Sequence, residues 1–182
     1  MKIYLVRHGE TTGDIEDRIG GSYDDHLTSL GREQLAKTAQ KLADKNIEII
    51  FSSPLVRARE SAQIIQQAIG SPIEIVDGFR ERHYGVITGM LKSEAKAKYP
   101  EAIERHSDLT YTHPDGESYP DFYQRVVNAF ASVTNENDRT MAIIGHGGSL
   151  KCILKELKQP IPDKLEDGHI IELDCCSAEG CC

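Results

Sequence analysis

Two histidines occupy the same local setting in this chain, and their chemistry frames everything else. His8 follows an apolar run at 2–6 (Lys-Ile-Tyr-Leu-Val), with Arg7 before it and Gly9-Glu10 after it. His146 follows a second run at 140–144 (Thr-Met-Ala-Ile-Ile), across Gly145, with Gly147 and Gly148 behind it. An arginine beside a histidine suits an anion held by a guanidinium fork next to an imidazole that can attack it. The glycine after each histidine lets backbone amides come close to such an anion. Arg57 stands just past a third apolar run, 47–51 (Ile-Glu-Ile-Ile-Phe), in the first turn of the helix that follows. Anions gather at helix amino termini. Each feature alone has a bland reading: a structural strand-end histidine, a capped turn histidine, a solvated arginine like Arg59. Two histidines and two arginines at three strand ends are much harder to explain as packing.

To meet, these residues need strands whose carboxyl ends share one edge. The three apolar runs read as buried strands, with shorter ones at 73–76 and around Ile170, Ile171 and Leu173. Thr28 caps a helix carrying Leu35, Ala39, Leu42 and Ala43 and ending near Asn46. Ser53 as cap and Pro54 at the first helical position open another, with Leu55, Ala58, Ala62, Ile65 and Ile69 on one face. A helix covers 92–99 and stops at Pro100. From there to Glu117 the chain reads as irregular, with a turn at His113-Pro114-Asp115-Gly116. Ser118 and Asp121 start a helix whose stripe of Tyr119, Phe122, Tyr123, Val126, Phe130 and Val133 reads as core. A last helix runs from about Ser149 to Leu157. The polar stretch 11–26, with Gly13, Gly20 and Gly21, reads as a loop over the sheet edge, where binding residues sit. Alternating strands and helices give an α/β fold: three layers, α/β/α, around a mostly parallel sheet. In such sheets ligands bind beyond the carboxyl ends of the strands.

Size and composition set the outer limits. With 182 residues, 39% of them hydrophobic, the chain reads as one domain over 1–174 followed by a cysteine-rich tail at 175–182. No stretch approaches the ~20 apolar residues of a membrane span, and the start of the chain does not resemble a signal peptide. A formal charge of −8 argues against binding nucleic acid or an anionic membrane. A small anionic substrate stays compatible, because salt screens distant carboxylates over ~8–10 Å. Cys152 lies in an apolar helical stretch, and the body of the chain has no disulfide framework, which favours a reducing, cytoplasmic setting. Cys175, Cys176, Cys181 and Cys182 read most simply as a tail with accessible thiols, with a soft metal, acyl chains or intermolecular disulfides as the other uses. Glu179, fourth from the end, does not fit a prenylation signal. A homodimer is left open.

At this point the sequence resembles the histidine phosphatase superfamily, the fold shared by phosphoglycerate mutases and many small phosphatases. The resemblance rests on Val-Arg-His-Gly-Glu-Thr at 6–11, Leu-Thr-Ser-Leu-Gly at 27–31 and Ser-Ser-Pro-Leu-Val-Arg-Ala at 52–58. It continues through Glu-Arg-His-Tyr-Gly at 81–85, Gly-Glu-Ser at 116–118 and Gly-His-Gly-Gly-Ser-Leu at 145–150. It implies His8 as nucleophile, Arg7 and Arg57 on the phosphoryl oxygens, and His146 as a donor to them. Glu81 matches the proton donor to the leaving alkoxide and later the base for water. Gly9, Thr11, Asp14, Gly20, Gly21 and Gly147 fall among the residues around the phosphoryl group. Arg82, Tyr84 and Lys92 match positions that contact the rest of the substrate, and Arg105 is a further candidate for a carboxylate clamp. An acidic phosphorylated metabolite would fit that set. No metal or other cofactor is implied, and the chain lacks His-Glu-x-x-His and Cys-x-x-Cys.

The sequence also departs from the family pattern. Relatives of this resemblance usually carry asparagine where Asp14 stands, and an ionised aspartate only accepts hydrogen bonds. That implies weaker phosphate binding or a reoriented loop. Many small phosphatases have Trp-Glu-Gly in place of Ile87-Thr88-Gly89. The segment between Arg105 and Glu117 is short where the mutases carry an insertion that closes the site, and an open site favours water as the acceptor. The resemblance therefore implies a histidine acid-type phosphomonoester phosphatase. A 2,3-bisphosphoglycerate-dependent phosphoglycerate mutase is the second reading and a non-catalytic phospholigand-binding module the third.

Overall fold

The computed structural model describes residues 2–135 and 139–174, so the cysteine-rich stretch 175–182 lies outside the described residues. The strands are β1 (Lys2–Arg7), β2 (Ile49–Ser52), β3 (Ile73–Ile75), β4 (Met141–Gly145) and β5 (Ile170–Asp174). In chain order the helices are α1 (Thr12–Ile15), α2 (Ser29–Leu42), α3 (Val56–Ile69), α4 (Lys92–Lys98), α5 (Pro100–Glu104), α6 (Tyr119–Asn135) and α7 (Gly147–Glu156). The sheet runs β3-β2-β4-β1-β5. Its first four strands are parallel, and β5 returns antiparallel along β1. This is the mixed α/β, mostly parallel architecture that the alternation of elements predicts.

Both faces of the central strands are covered, which is why their sequences are continuous apolar runs and not alternating ones. On one face Ile3, Leu5, Phe51, Met141 and Ile143 pack against Phe122, Val126 and Phe130 of α6 and Leu150 and Ile153 of α7. On the other, Tyr4, Val6, Ile50, Ala142 and Ile144 meet Leu35 and Ala39 of α2 and Ala58, Ala62 and Ile65 of α3. The α6 stripe and Cys152 are therefore core, as their spacing predicts. A satellite cluster of Ile19, Ile87, Ala95 and Ala102, with Tyr84, Met90 and Tyr111 against it, pins the 84–111 region beside the main core.

Several boundaries differ from expectation, and two of the differences serve the site. The helix after β2 starts at Val56 with Leu55 as a cap that makes no side-chain bond, so Ser53-Pro54 is a turn. The Ser53 hydroxyl accepts from the Leu55 N–H at 3.3 Å and also reaches the ring of His146. The helix after β4 begins at Gly147, earlier than Ser149, with His146 itself as the capping residue. Pro100 does not end the helical run; it opens α5, where its missing N–H costs nothing. The 11–26 loop contains the single turn α1, closed by a reciprocal Thr11–Asp14 capping box. The helix α2 ends at Leu42, short of Asn46, whose φ of 51° lies in the left-handed region.

Adjacency of β1 and β4 brings the two histidines together. Arg7 pairs with Gly145 in the register, and the His8 N–H donates to the Gly145 carbonyl at 3.1 Å. Behind His8, the chain passes tightly under the start of α2. A Cβ on Gly31 would press on the Glu10 carbonyl, and one on Gly9 would meet Gly31 and Leu35. Gly31→Ala must therefore displace backbone next to His8, at a cost of about 1–3 kcal/mol. The expected outcome is a melting temperature lower by several degrees, read by calorimetry.

Candidate active site

Beyond the carboxyl ends of β1, β2 and β4 lies a cavity of about 280 Å³. Of the residues named from the sequence, Arg7, His8, Thr11, Asp14, Gly20, Gly21, Arg57, Glu81, Tyr84, His146 and Gly147 line it. A roomier hollow of about 450 Å³ beside β3 is lined by Glu74, Asp77 and Arg139 and contains no histidine. The chemistry sits in the smaller space.

Two imidazoles form its floor, with ring centroids 5.1 Å apart. His8 Nδ1 lies 2.8 Å from the Gly9 carbonyl oxygen. A carbonyl only accepts, so Nδ1 carries the proton and Nε2 keeps its lone pair. Arg57 Nε donates to that Nε2 at 3.2 Å. Burial, then the charges of Arg57 and Arg7, hold the His8 pKa well below its ordinary value. His146 is lowered likewise by burial and by Arg57. Its ring Nε2 is 2.7 Å from Ser53 Oγ, and its backbone N–H donates to Ser149 Oγ at 3.0 Å. Both rings are thus neutral at ordinary pH.

The arginines are held from behind. Arg57 is only 3% exposed, and its Nη1 donates to Asp25 Oδ1 at 2.9 Å and to the Tyr23 carbonyl at 2.5 Å. Its Nη2 donates to the Gly21 carbonyl at 2.7 Å. Arg7 Nη2 stands 3.1 Å from Asp167 and Nη1 donates to the Leu165 carbonyl. The Nε of Arg7 is buried and makes no hydrogen bond among the described residues. A buried guanidinium N–H without a partner asks for an acceptor, and an oxyanion in the cavity would provide one.

Glu81 closes the far side. Its Oε2 accepts from the Gly148 N–H at 2.7 Å and its Oε1 from the Arg82 N–H at 2.9 Å. A side chain at Gly148 would collide with that carboxylate, which explains a glycine in the first turn of α7.

Four expectations need correction. Gly9 does not line the cavity; its missing side chain makes room for α2, and its carbonyl orients His8. Arg82 is buried behind the cavity and donates to the carbonyls of Glu117 and Tyr111, both at 2.9 Å. Lys92 lies outside, paired with the exposed Asp17. Arg105 also lies outside, paired with Asp108. Asp14, in turn, does not face the cavity with both carboxylate oxygens bare, because Oδ2 accepts from the Thr11 N–H and hydroxyl at 2.9 and 2.8 Å. Sequence reasoning missed Ser53, Asp25, Arg18 and His106. For Asp25 a carboxylate in the glycine-rich loop was a usable clue; His106 had none.

The depressed histidines have a measurable consequence. His8, His146 and His113, the last pushed down to about 4 mainly by burial, bind a proton more readily unfolded than folded. Their contribution to stability is complete above about pH 6.5 and is lost as pH falls toward the folded values. The melting temperature of the ligand-free protein should therefore drop between pH 7.5 and 5, and His146→Gln should flatten that dependence in a thermal scan.

Residues 3–178 match the family model described as histidine phosphatase superfamily (branch 1). The uncharacterized phosphatase PhoE of Bacillus subtilis is 30% identical over 88% of this chain and 79% of its own length. The 2,3-bisphosphoglycerate-dependent phosphoglycerate mutase 2 of Gloeobacter violaceus is 28% identical over 96% of this chain and 82% of its own. Among solved structures, Bacillus stearothermophilus YhfR superposes with a TM-score of 0.87 at 26% identity, covering 97% of this chain and 92% of that one.

Proposed function

This chain belongs to the histidine phosphatase superfamily, and from that premise we propose that it is a phosphomonoester phosphatase working through a phosphohistidine on His8, without a metal. The observation that carries the reading is the lone pair of a neutral, buried His8 Nε2 set between two guanidinium groups. An incoming phosphoryl group takes over the Arg57 Nε–H and meets the unpartnered Arg7 Nε–H. His8 Nε2 forms the N–P bond as the bond to the alkoxide breaks, and Glu81 gives the alkoxide its proton. The Gly9 carbonyl steadies the positive charge that then resides on the imidazole. In the second half Glu81 takes a proton from water, the hydroxide oxygen bonds to phosphorus, and the N–P electrons return to His8. His146 and the arginines stabilise the charge on the transferring group throughout. Cations fill the role a metal would play, and their charge would repel one.

The mutase reading is weaker for a specific reason. Returning the phosphoryl group to a sugar acid requires holding its carboxylate, and Arg82, Lys92 and Arg105 are all engaged outside the cavity. The short segment after Arg105 also supports water as acceptor. With 3-phosphoglycerate, release of inorganic phosphate is expected and conversion to the 2-isomer with a bisphosphate primer is not.

Aryl phosphate turnover with an acid-labile phosphoenzyme trapped by rapid quench is the decisive experiment. His8→Ala should lower kcat by roughly 1,000-fold or more and abolish the trapped species. A fully active His8→Ala protein would end the proposal. Glu81→Gln should cost roughly 10²–10⁴-fold for alkyl leaving groups and far less for a nitrophenolate that needs no proton. Equal losses for both would remove Glu81 from its role.

A further inference from the structure

We infer that the leaving-group half of the cavity is built for a neutral, hydroxyl-bearing alcohol, so that phosphorylated polyols and sugars are favoured over phosphorylated carboxylic acids; this rests on the phosphatase reading above. Beyond the phosphoryl end the wall is made by Tyr84 and His106, whose rings meet edge-on with centroids 4.5 Å apart. His106 Nδ1 is engaged with His113 Nε2 at 3.3 Å, which leaves the other ring nitrogen of His106 for a ligand. Burial, then Arg82, keeps His106 below its ordinary pKa, and burial raises the Tyr84 phenol, so both are uncharged near neutral pH. An imidazole and a phenol each donate or accept, which matches hydroxyl groups in either sense. Their flat faces suit the apolar side of a sugar.

The cations are accounted for differently. Arg82 turns Nε and Nη2 to backbone carbonyls behind this wall. Lys92 and Arg105 are bound to Asp17 and Asp108. Arg18 does line the cavity, but its Nε donates to Glu16 at 2.6 Å and its Nη1 to the Gly89 carbonyl at 2.9 Å. Asp14 puts a carboxylate in the same space. A carboxylate arriving here would give up its water beside Asp14, with the Arg18 Nε and Nη1 and the Arg82 Nε and Nη2 already spent on other acceptors, whereas a hydroxyl exchanges one hydrogen bond for another.

Glycerol 3-phosphate and 3-phosphoglycerate test this directly, since they differ in carrying a hydroxymethyl or a carboxylate group at the far end. The wild-type protein should show kcat/KM roughly tenfold or more higher for glycerol 3-phosphate. Equal or inverted values overturn the inference. His106→Arg should narrow or invert the ratio by giving the carboxylate a partner. Tyr84→Phe, a milder change should the arginine disturb folding, should lower the ratio roughly fivefold. A ratio unmoved in both variants, each folded by circular dichroism, also overturns it. If hydrolysis of both metabolites is too slow to measure, the same ratio is read from their inhibition of aryl phosphate hydrolysis. Absence of aryl phosphate turnover would remove the phosphatase reading itself, while turnover with the wrong ratio removes only the substrate class.

Discussion

A guanidinium buried away from water is the constraint on which the site depends. Arg57 cannot sit inside the protein unless its charge and its N–H groups are met, because an unpaired buried cation is strongly destabilising. Asp25 and the carbonyls of Tyr23 and Gly21 meet them, all from the loop that crosses the sheet edge. The loop therefore takes its shape around Arg57, and the N–H on Nε is aimed at His8. Burial first, and then the same charge, suppress protonation of both imidazoles. One residue thus orders the loop, puts positive charge at the edge of the sheet and adds to the burial that keeps His8 unprotonated.

The sheet and the loops divide the remaining work. Parallel neighbours β1 and β4 deliver two histidines to one edge with no adjustable step between them. Glu81, which has no strand behind it, is fixed instead by two backbone N–H groups, one from α7. That bond couples Glu81 to the helix that His146 caps, so the two side chains share one support. The 84–111 region is attached through a smaller cluster of its own. The part of the site that reads the alcohol is accordingly built on a separate packing unit from the part that handles phosphorus.

The fold and the phosphoryl end were legible because they follow from short-range rules. Continuous apolar runs mark buried parallel strands, and a charged residue directly after such a run lands at the edge where ligands bind. Arg7, His8 and His146 follow that logic closely, and Arg57 reaches the same edge from the first turn of the helix after β2. The leaving-group end was not legible, because long side chains go where tertiary partners are. Arg82 keeps the right spacing from Glu81, yet two carbonyls brought close only by folding turn it away. Lys92 finds Asp17, far away in sequence. Gly9 misled for a similar reason: a glycine after a histidine serves an approaching amide or an approaching helix equally well, and only packing decides. Ser53-Pro54 reads locally as a helix start, but the helix begins at Val56, and the Ser53 hydroxyl reaches His146 as well as the Leu55 N–H.

The pairing of Arg7 with Gly145 carries a further consequence. Strand side chains alternate, so sliding β1 by one position along β4 would exchange the two faces of the whole strand. Tyr4 and Val6 would change places with Ile3 and Leu5 against cores already filled to fit, and one imidazole would leave its companion. A misaligned molecule would be both badly packed and inert, with no intermediate degree of correctness. Proofreading of the active centre is thereby handed to the assembly of the apolar interior, which settles long before any phosphate arrives.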